Sequence, residues 1–497
     1  MTSVRRLLGG AAAISVAAAT LAFVPAVQAP DAQADETKCV RTNDSVRKLL
    51  ECVTLEGTLE HEEALQAIAD ENDGIRDSGS SGYDASAAYV EERMRAAGYV
   101  VTSQTFDIVR FRELGPSALQ QVAPGTVTYV QDTDFSVTPH SDPGDVTADV
   151  TPVDLALGIG NASTSGCEAA DFMGFPVGNI ALIQRGTCTF EQKGENAAAA
   201  GAVGVLFFNQ GNTDGDDRQG VPAVTLGNGY TGGIPALSTT YDRGVEFAGI
   251  SGLRMRLFSN VDRVPATTSN VIAESRHGDP HNVIMAGAHL DSVPEGPGIN
   301  DNGSGTSSLI EVAEQMAKLS LSNKLRFAWW GAEEGGLVGS THYVDTLSES
   351  QRADIEMYLN FDMVASPNYG LFVYDGDGSA FGTAGPDGSD EIEALFERYY
   401  ADRDIPSEPT PFNGRSDYLE FINNDIPAGG LFTGAEVMKT AAQVAKWGGQ
   451  ANVAFDPCYH SACDTIDNLS HDALRINADA IAYVTYLYAS GREVINE

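Results

Sequence analysis

The segment NVIMAGAHLDSVPEGPGINDNGSG, residues 282–305, changes character twice along its length. It begins as a short apolar run that ends at His289, continues as a loop rich in Gly and Pro, and reaches the carboxylate of Asp301 before a helical pattern starts near Ser304. A buried strand, a bent loop and a helix in succession are typical of an α/β domain. Gly and Pro supply the backbone conformations that would return Asp301 to the end of the strand.

Further apolar runs alternate with helical stretches, so an α/β pattern is predicted from about residue 265. His289 closes the first run, Glu333 and Glu334 close the second, and Asp362 lies near the end of the third. Ligands of α/β sheets bind outside the carboxyl ends of the strands, so these side chains are expected to converge at one edge. The runs are NVIMAGAH from 282, KLRFAWWGAEE from 324, EMYLNFDMV from 356 and IPAGGLFTG from 426.

Acids and imidazoles gathered at one sheet edge destabilise a fold unless a cation binds them. His289, with His460 of the loop DPCYHSACDT as a second histidine, favours zinc or a related transition metal over magnesium or calcium. Glu333, beside Glu334, is left over for the role of general base. The predicted ligand sets are His289, Asp301 and Asp362 for one metal, and Asp301, Glu334 and His460 for the other, with Asp301 as the bridge.

Each of these residues also has a common structural role when it occurs alone. An isolated histidine is more often packed than ligating, an isolated Asp in a turn often caps a helix, and paired acids often end a solvated strand. Their joint occurrence on successive elements favours the metal site. The other histidines lack such company and are expected on the surface; they are His61, His140, His277, His281, His342 and His471.

The first residues predict export. Arg5 and Arg6 precede an apolar run from Leu7 to Val24, and an Ala-Gln-Ala cleavage site follows at 32–34. A membrane anchor is the competing interpretation, but Pro25 interrupts the run and no second apolar stretch follows. Residues 1–34 are therefore predicted to be a signal peptide of a secreted protein that has no membrane attachment after cleavage.

Six cysteines in an exported chain are expected to form disulfides, and they fall into three local couples. Fifteen pairings of six cysteines exist, and the local ones are expected: Cys39 with Cys52, Cys167 with Cys188, and Cys458 with Cys463.

The formal net charge of −39 makes nucleic acid and anionic lipid poor partners.

The chain is long enough for more than one domain. Residues 55–105 predict two helices and a strand, whereas 125–262 carry short Val/Thr strands broken by Pro, Gly and Asp. Within this insert, NIALIQRGTCTFEQKGENAAAAGAVGVLFFNQ (179–210) and IPALSTTYDRGVEF (234–247) resemble the protease-associated domain. The predicted division is 1–34 signal peptide, 35–124 first part of the main α/β domain, 125–262 protease-associated insert, and 263–497 second part of the main domain, which carries the predicted zinc site.

The motifs AGAHLDS, GINDNGSG, WWGAEEGGLVGS, LNFDMV, NGRSDYLEF and DPCYHSACDT, in this order, resemble the secreted di-zinc aminopeptidases of actinomycetes, of the leucyl-aminopeptidase type. The resemblance covers about 55–120 and 262–495. It implies an α/β fold with a mixed central sheet and helices on both faces. It also implies two zinc ions per chain, peptide or protein N-termini as substrates, and a preference for large apolar N-terminal residues. A monomer is expected. Some relatives are modulated by calcium, so the resemblance leaves calcium open as a further ion, although their calcium ligands are not matched to residues of this sequence.

The resemblance also implies roles for single residues. Asp291 would orient His289, and Glu333 would deprotonate the attacking water. Tyr459 would donate a hydrogen bond to the developing oxyanion. Arg415 would lie near the substrate backbone, and Phe432 would form part of the side-chain pocket. Two alternatives on the same scaffold stay open, a carboxypeptidase and a receptor-like binding protein without catalysis.

Overall fold

The computed structural model describes residues 39–222 and 224–495, so the predicted signal peptide lies outside the described residues. Two eight-stranded sheets make up the frame of the molecule. Within the described part of the chain, every helix is too short or too polar to cross a bilayer.

The amino-terminal part contains the two helices and the strand that the sequence predicts. Thr54 and Ser80 cap the amino ends of the longer helices, and Gly98, at φ 106°, ends the second of them as a left-handed cap. The elements are α1 (Val46–Leu50), α2 (Leu55–Glu71), α3 (Ser81–Ala97) and β1 (Val100–Glu113).

The second sheet follows, with strand order β3-β2-β9-β5-β6-β7-β8-β4. Strands β5 to β8 are parallel neighbours, and the apolar strands β6 and β7 are buried along their whole length. The elements are β2 (Ala118–Ala123), β3 (Val127–Thr128), β4 (Phe135–Val137), β5 (Gly144–Val153), β6 (Ile180–Gln184), α4 (Phe190–Ala199), β7 (Gly204–Phe208), α5 (Asp216–Gln219), β8 (Ala236–Thr239), α6 (Tyr241–Gly249) and β9 (Arg254–Ser259).

The remaining chain completes the first sheet, whose strand order is β1-β10-β12-β11-β13-β16-β14-β15. Its elements are β10 (Val261–Glu274), β11 (Asp279–His289), α7 (Ser304–Met316), β12 (Asn323–Trp330), α8 (Val338–Thr346), α9 (Glu349–Ala353), β13 (Ile355–Phe361), β14 (Phe372–Tyr374), α10 (Ser389–Ala401), β15 (Glu408–Thr410), α11 (Leu419–Asn423), β16 (Ala428–Phe432), α12 (Ala441–Trp447) and α13 (His471–Ala489).

This first sheet is mixed and is covered on both faces, which confirms the predicted fold class. Successive side chains of a strand point to opposite faces, and Trp329 and Trp330 at the end of β12 accordingly belong to different cores. Trp329 packs in the cluster that includes Leu309 of α7 and Ile481 of α13. Trp330 packs in the cluster that includes Tyr343 of α8 and Phe421 of α11.

The four central strands β12, β11, β13 and β16 run parallel, so their carboxyl ends meet at one edge. Strand β11 ends at His289, and β13 ends at Phe361, one residue before Asp362. The sheet thereby brings several of the predicted polar residues to a common edge.

Strands β1 and β10 join this sheet to the insert. Each has 14 residues, and they pair antiparallel along their full length, from Val100 opposite Glu274 to Glu113 opposite Val261. Strand β1 is longer than the pattern of period two predicts, because its pairing with β10 continues beyond the residues of β10 that pair with β12, towards the insert. A two-stranded ribbon therefore links the two sheets.

Candidate metal centre

Five polar side chains converge at the common edge of the parallel strands. The two carboxylate oxygens of Asp301 face different histidines: Oδ1 lies 3.2 Å from Nε2 of His289, and Oδ2 lies 3.3 Å from Nε2 of His460. Asp362 Oδ1 lies 3.3 Å from His289 Nε2, and Glu334 Oε2 lies 3.0 Å from His460 Nε2. The structure thus brings together two three-residue groups that share Asp301.

The loop before α7 fixes the position of Asp301. Its turn is irregular, with Gly298 in the left-handed region at φ 64°, where a residue with a β-carbon is strained. Asp464 accepts the backbone N–H of Asn300 at 2.9 Å and that of Asp301 at 3.0 Å. The loop is therefore held from the side of the disulfide-bonded segment that carries His460.

A second support comes from Arg76, which is fully buried. Its guanidinium donates hydrogen bonds to the carbonyls of Pro297 at 2.8 Å and Gly298 at 2.6 Å, and to that of Leu290. Five donors in one planar group can serve several carbonyls at once. Arg76 consequently ties together the chain between the two metal-ligand candidates His289 and Asp301.

Asp291 links the first histidine to the acidic pair after β12. Its Oδ1 lies 3.6 Å from His289 Nδ1, which also faces the Asp291 carbonyl at 3.1 Å. The same carboxylate accepts the backbone N–H of Glu333 at 3.1 Å and that of Glu334 at 3.3 Å. One buried side chain thus contacts the imidazole and orients the turn that carries both glutamates.

The electrostatics of the cluster fit a cation. No residue in the described ranges donates a hydrogen bond to Glu334 Oε1 or Asp362 Oδ1, although both atoms are buried. Burial raises the pKa of Glu334 to about 7. Burial alone would lower the pKa of His460, but the carboxylates of Glu334 and Asp301 outweigh it and raise that pKa to about 11. Carboxylate and imidazole donors with spare lone pairs suit zinc and related metals.

Glu333 lies beside this cluster and is nearly buried, with 9% of its surface exposed. Burial raises the pKa of its carboxyl well above the ordinary value, and the nearby carboxylates of Glu334 and Asp417 act in the same direction. His289 opposes the shift. A carboxyl group in such surroundings has a high affinity for a proton, which a general base requires.

Tyr459 lies beside His460, and Arg415 contacts Tyr459. The Tyr459 ring stacks on His460 with the ring centroids 3.8 Å apart, and the disulfide between Cys458 and Cys463 encloses both residues in a short loop. Arg415 Nη2 donates to the Tyr459 hydroxyl at 3.1 Å, and its Nη1 lies 2.8 Å from Glu436 Oε1. The guanidinium therefore holds the phenol in place next to the candidate metal ligands.

A cavity of about 380 Å³ opens onto these groups, and we call it the first cavity. Apolar side chains form its far wall, and Phe432 lies among them with its ring 6.3 Å from that of Phe372. Its apolar lining residues include Met363, Phe372, Phe381, Phe432, Val437 and Phe455. An apolar side chain of a ligand fits this wall while a polar part contacts the cluster.

Three residues at this centre were not singled out from the sequence. Ser416 donates to Asp362 Oδ2 at 2.6 Å, Asp464 holds the Asp301 loop, and Asp417 is buried next to His289, where burial raises its pKa to about 7. All three belong to the motifs NGRSDYLEF and DPCYHSACDT, so their presence in those motifs was the available signal.

Two of the remaining histidines contradict the expectation of surface positions. His61 is buried because α2 places it one turn from Leu65 on the core side, where Tyr89 hydrogen-bonds its Nδ1 at 2.7 Å. His140 is buried between the insert and the peptidase part. The three disulfides join the local couples, Cys39 with Cys52, Cys167 with Cys188 and Cys458 with Cys463.

Two parts of the chain match known protein families, and several known proteins are similar to most of it. Residues 270–485 match the family described as Peptidase family M28, and residues 146–246 match the PA domain. An aminopeptidase of Pseudomonas aeruginosa is 53% identical over 446 residues, which cover 90% of this chain and 83% of that protein. A leucine aminopeptidase 2 of Arthroderma otae is 45% identical over 343 residues, with 69% and 68% covered.

Among solved structures, the aminopeptidase from Aneurinibacillus sp. strain AM-1 superposes with a TM-score of 0.69 at 27% identity, covering 91% of this chain and 98% of that chain. A zinc aminopeptidase from Bacillus subtilis gives a TM-score of 0.57 at 25% identity, covering 89% and 96%. Both similarities extend over the insert as well as the peptidase part.

Proposed function

The chain belongs to peptidase family M28, and on this premise we propose that it is an exported aminopeptidase whose centre binds two zinc ions. Asp301 is the observation that carries the proposal. Its two oxygens lie 3.2 Å from His289 and 3.3 Å from His460, so one carboxylate is shared by two imidazoles. A carboxylate that is shared in this way could bind two cations.

The proposed ligands divide into two sets around that carboxylate. His289, Asp301 and Asp362 would hold one ion, and Asp301, Glu334 and His460 would hold the other. Zinc bound there would lower the pKa of a water molecule and polarise the carbonyl group of the scissile peptide bond. Asp291 would keep the imidazole of His289 in the ligating orientation.

Glu333 is the proposed general base. Its carboxylate would take a proton from the attacking water and deliver that proton to the nitrogen of the leaving amine. Burial and the neighbouring acids support this role, since both raise the proton affinity of Glu333. Asp291 fixes its backbone through the hydrogen bond to the Glu333 N–H at 3.1 Å.

Tyr459 is the proposed donor to the oxygen that becomes negative when water adds to the carbonyl. Its hydroxyl already accepts a hydrogen bond from Arg415 at 3.1 Å, which leaves the phenolic hydrogen free to point elsewhere. Burial raises the pKa of Tyr459 well above its ordinary value, so the phenol keeps its proton at neutral pH. Arg415 would thereby position Tyr459 and lie near the substrate backbone.

The first cavity supports an aminopeptidase in particular. Acidic side chains outnumber Arg and Lys on its lining, which suits the cationic α-amino group of a peptide. The apolar wall around Phe432 suits a large apolar N-terminal side chain such as that of leucine.

A carboxypeptidase would need a free cation for the terminal carboxylate of its substrate. Arg415 is the one Arg or Lys among the described residues that line the first cavity, and Glu436 is paired with it at 2.8 Å. A non-catalytic binding protein would not need a buried general base, Glu333, next to a complete set of candidate metal ligands.

For the rest of the chain we propose the division stated from the sequence: signal peptide 1–34, peptidase parts 35–124 and 263–497, and the insert 125–262.

Three disulfides support passage through an oxidising compartment. The mature protein is proposed to be an extracellular monomer. Amino-terminal sequencing of protein from culture medium would test cleavage after residue 34, and sedimentation analysis would test the monomer.

The deciding experiment measures bound metal per chain and the hydrolysis of leucine anilide before and after chelation. We expect about two zinc ions, loss of activity on chelation, and recovery when zinc is restored. N-acetylated leucine anilide is the matched control substrate, because blocking the amine should abolish hydrolysis. A folded chain that binds no metal and cleaves neither compound would refute the proposed function, and carboxyl-terminal cleavage of a blocked peptide would favour the carboxypeptidase.

A further inference from the structure

A second cavity, of about 320 Å³, lies between the insert and the peptidase part. Glu334 and His460 line this second cavity as well as the first, so the two spaces meet at one candidate metal-ligand pair. The insert contributes Pro139, His140, Thr225 and Asn228 to the wall of the second cavity. The proposed mechanism uses the first cavity and leaves this one without a role.

Contacts between the insert and the peptidase part hold one wall of the second cavity in place. Asn228 Oδ1 accepts the backbone N–H of Val109 on β1, and so fixes the loop of the insert against the ribbon. His140 is 5% exposed, and no described residue hydrogen-bonds its Nδ1. Burial lowers the pKa of His140 to about 4, so its imidazole adds no positive charge to this wall at neutral pH.

The direction in which a bound substrate must run indicates what occupies the second cavity. In the proposed function the N-terminal residue lies in the first cavity and its peptide bond lies at the metal ligands. The chain after that bond must then continue away from Glu334 and His460, and the second cavity starts at these two residues. Both apolar residues, such as Ile108 and Val293, and polar residues, such as Thr225 and Asn228, line it, so its wall can contact the side chains and the amides of a peptide.

We propose that the second cavity binds the first residues of the leaving peptide and that the insert forms one wall of this binding site. The inference rests on the proposed function. It assigns the insert a part in substrate selection, through the length and the charge of the chain that follows the N-terminal residue.

Charge at the rim favours cationic leaving peptides. Arg110 pairs with Asp77 and Arg112 pairs with Asp262, so both arginines of the cavity are neutralised within the protein. Glu295 lines the same cavity and forms no ion pair with any residue in the described ranges. Its carboxylate is available to a Lys or Arg of the leaving chain.

The test compares leucinamide, which has no residue after the scissile bond, with a leucyl tetrapeptide. Thr225 is exposed on the insert, and Thr225→Trp narrows the second cavity without removing a core contact. We expect the ratio of kcat/KM for the tetrapeptide to kcat/KM for leucinamide to fall about tenfold. Thr147→Trp, at an exposed position of β5 outside the cavity, is the matched control and should leave the ratio unchanged.

A second pair of substrates tests the charge. For tetrapeptides with Lys or Glu as the third residue, Glu295→Lys should reverse a preference for Lys of about threefold in kcat/KM. An unchanged ratio in Thr225→Trp together with an unchanged charge preference in Glu295→Lys would overturn the inference. Equal losses on leucinamide and tetrapeptide would also overturn it. If the unaltered chain fails to hydrolyse leucinamide, the proposed function itself falls, and the inference falls with it.

Discussion

Asp291 accepts the backbone N–H of Glu333 at 3.1 Å, although the two residues follow different strands of the sheet. The same carboxylate lies 3.6 Å from His289 Nδ1. A proposed metal ligand and the proposed general base are therefore held by one side chain, so a change at Asp291 should affect both metal binding and catalysis.

Asp291→Asn tests this dual role. The amide would keep one acceptor oxygen and replace the other with a donor, so one of the two glutamate N–H groups loses its partner. We expect zinc affinity to fall about tenfold to a hundredfold, as measured by competition with a chelator. Asp345→Asn on α8 is the control, because Asp345 is exposed and lies away from the centre. Equal zinc affinity in the two variants would exclude Asp291 from any role in metal binding.

Glu333→Gln separates catalysis from metal binding. Gln has the size of Glu but cannot take a proton, so kcat should fall at least about a hundredfold while zinc content and the melting temperature stay unchanged. Glu334→Gln is the informative partner, because it alters a proposed ligand and should release zinc. Zinc loss from the Glu333 variant would mean that the two glutamates have the opposite assignment.

Tyr459→Phe removes one hydroxyl beside His460 and preserves the ring stack. Loss of a donor that acts on developing charge should lower kcat about a hundredfold with little change in KM. Steady-state kinetics on leucine anilide would measure both constants. A variant with the full turnover number would remove Tyr459 from the mechanism.

Phe432→Ala enlarges the apolar wall of the first cavity. We expect the ratio of kcat/KM for leucyl to alanyl anilide to fall roughly tenfold, because a large side chain loses more contact area than a small one. Phe258→Ala, on β9 of the insert, is the control. If Phe432→Ala and the control leave the same ratio, another part of the cavity determines side-chain preference.

Glu62 makes stability depend on pH. Its carboxyl is completely buried, accepts a hydrogen bond from Ser307 at 2.6 Å, and has a pKa that burial raises from 4.5 to about 8. A carboxyl with a raised pKa stabilises the fold fully below its unfolded pKa, and this contribution is lost as pH rises through the folded pKa. The loss between about pH 4.5 and pH 8 is of the order of 4 kcal/mol.

Glu62→Gln should remove that part of the pH dependence, since Gln does not ionise. Denaturant unfolding at pH 5 and at pH 8 would give the free energy of unfolding at each pH. We expect the variant to lose less stability between these values than the unaltered chain does. Glu63→Gln, the next position of α2, controls for the loss of one charge. Parallel pH curves for the unaltered chain and Glu62→Gln would show that Glu62 is ionised throughout.

Much of the arrangement of the strands can be predicted from local sequence patterns. The apolar runs that end in polar residues predict the parallel strands, and parallel strands necessarily bring their carboxyl ends to one edge. For this reason the sequence alone indicates that His289, Glu334 and Asp362 lie close together, and the structure does bring them together.

The supporting residues could not be predicted in this way. Arg76 and Asp464 act on the Asp301 loop from distant parts of the chain, and nothing in their local sequence marks that contact. His61 and His140 were wrongly expected on the surface because a single histidine has no periodicity of its own, and its burial depends on what packs against it. The second cavity exists only through the docking of the insert, which no local pattern encodes.

The paired strands β1 and β10 act as a spacer of fixed length. Each of the 14 residues of β1 has a partner in β10, so the insert is joined to the peptidase part by one paired ribbon and not by two independent flexible linkers. We expect the gap between the two parts to keep one width, which an extended chain can enter and a folded domain cannot. Protein substrates with folded amino termini would then not be hydrolysed, because they could not enter the gap. Chains with disordered amino termini, or chains already cleaved, would lose their N-terminal residues.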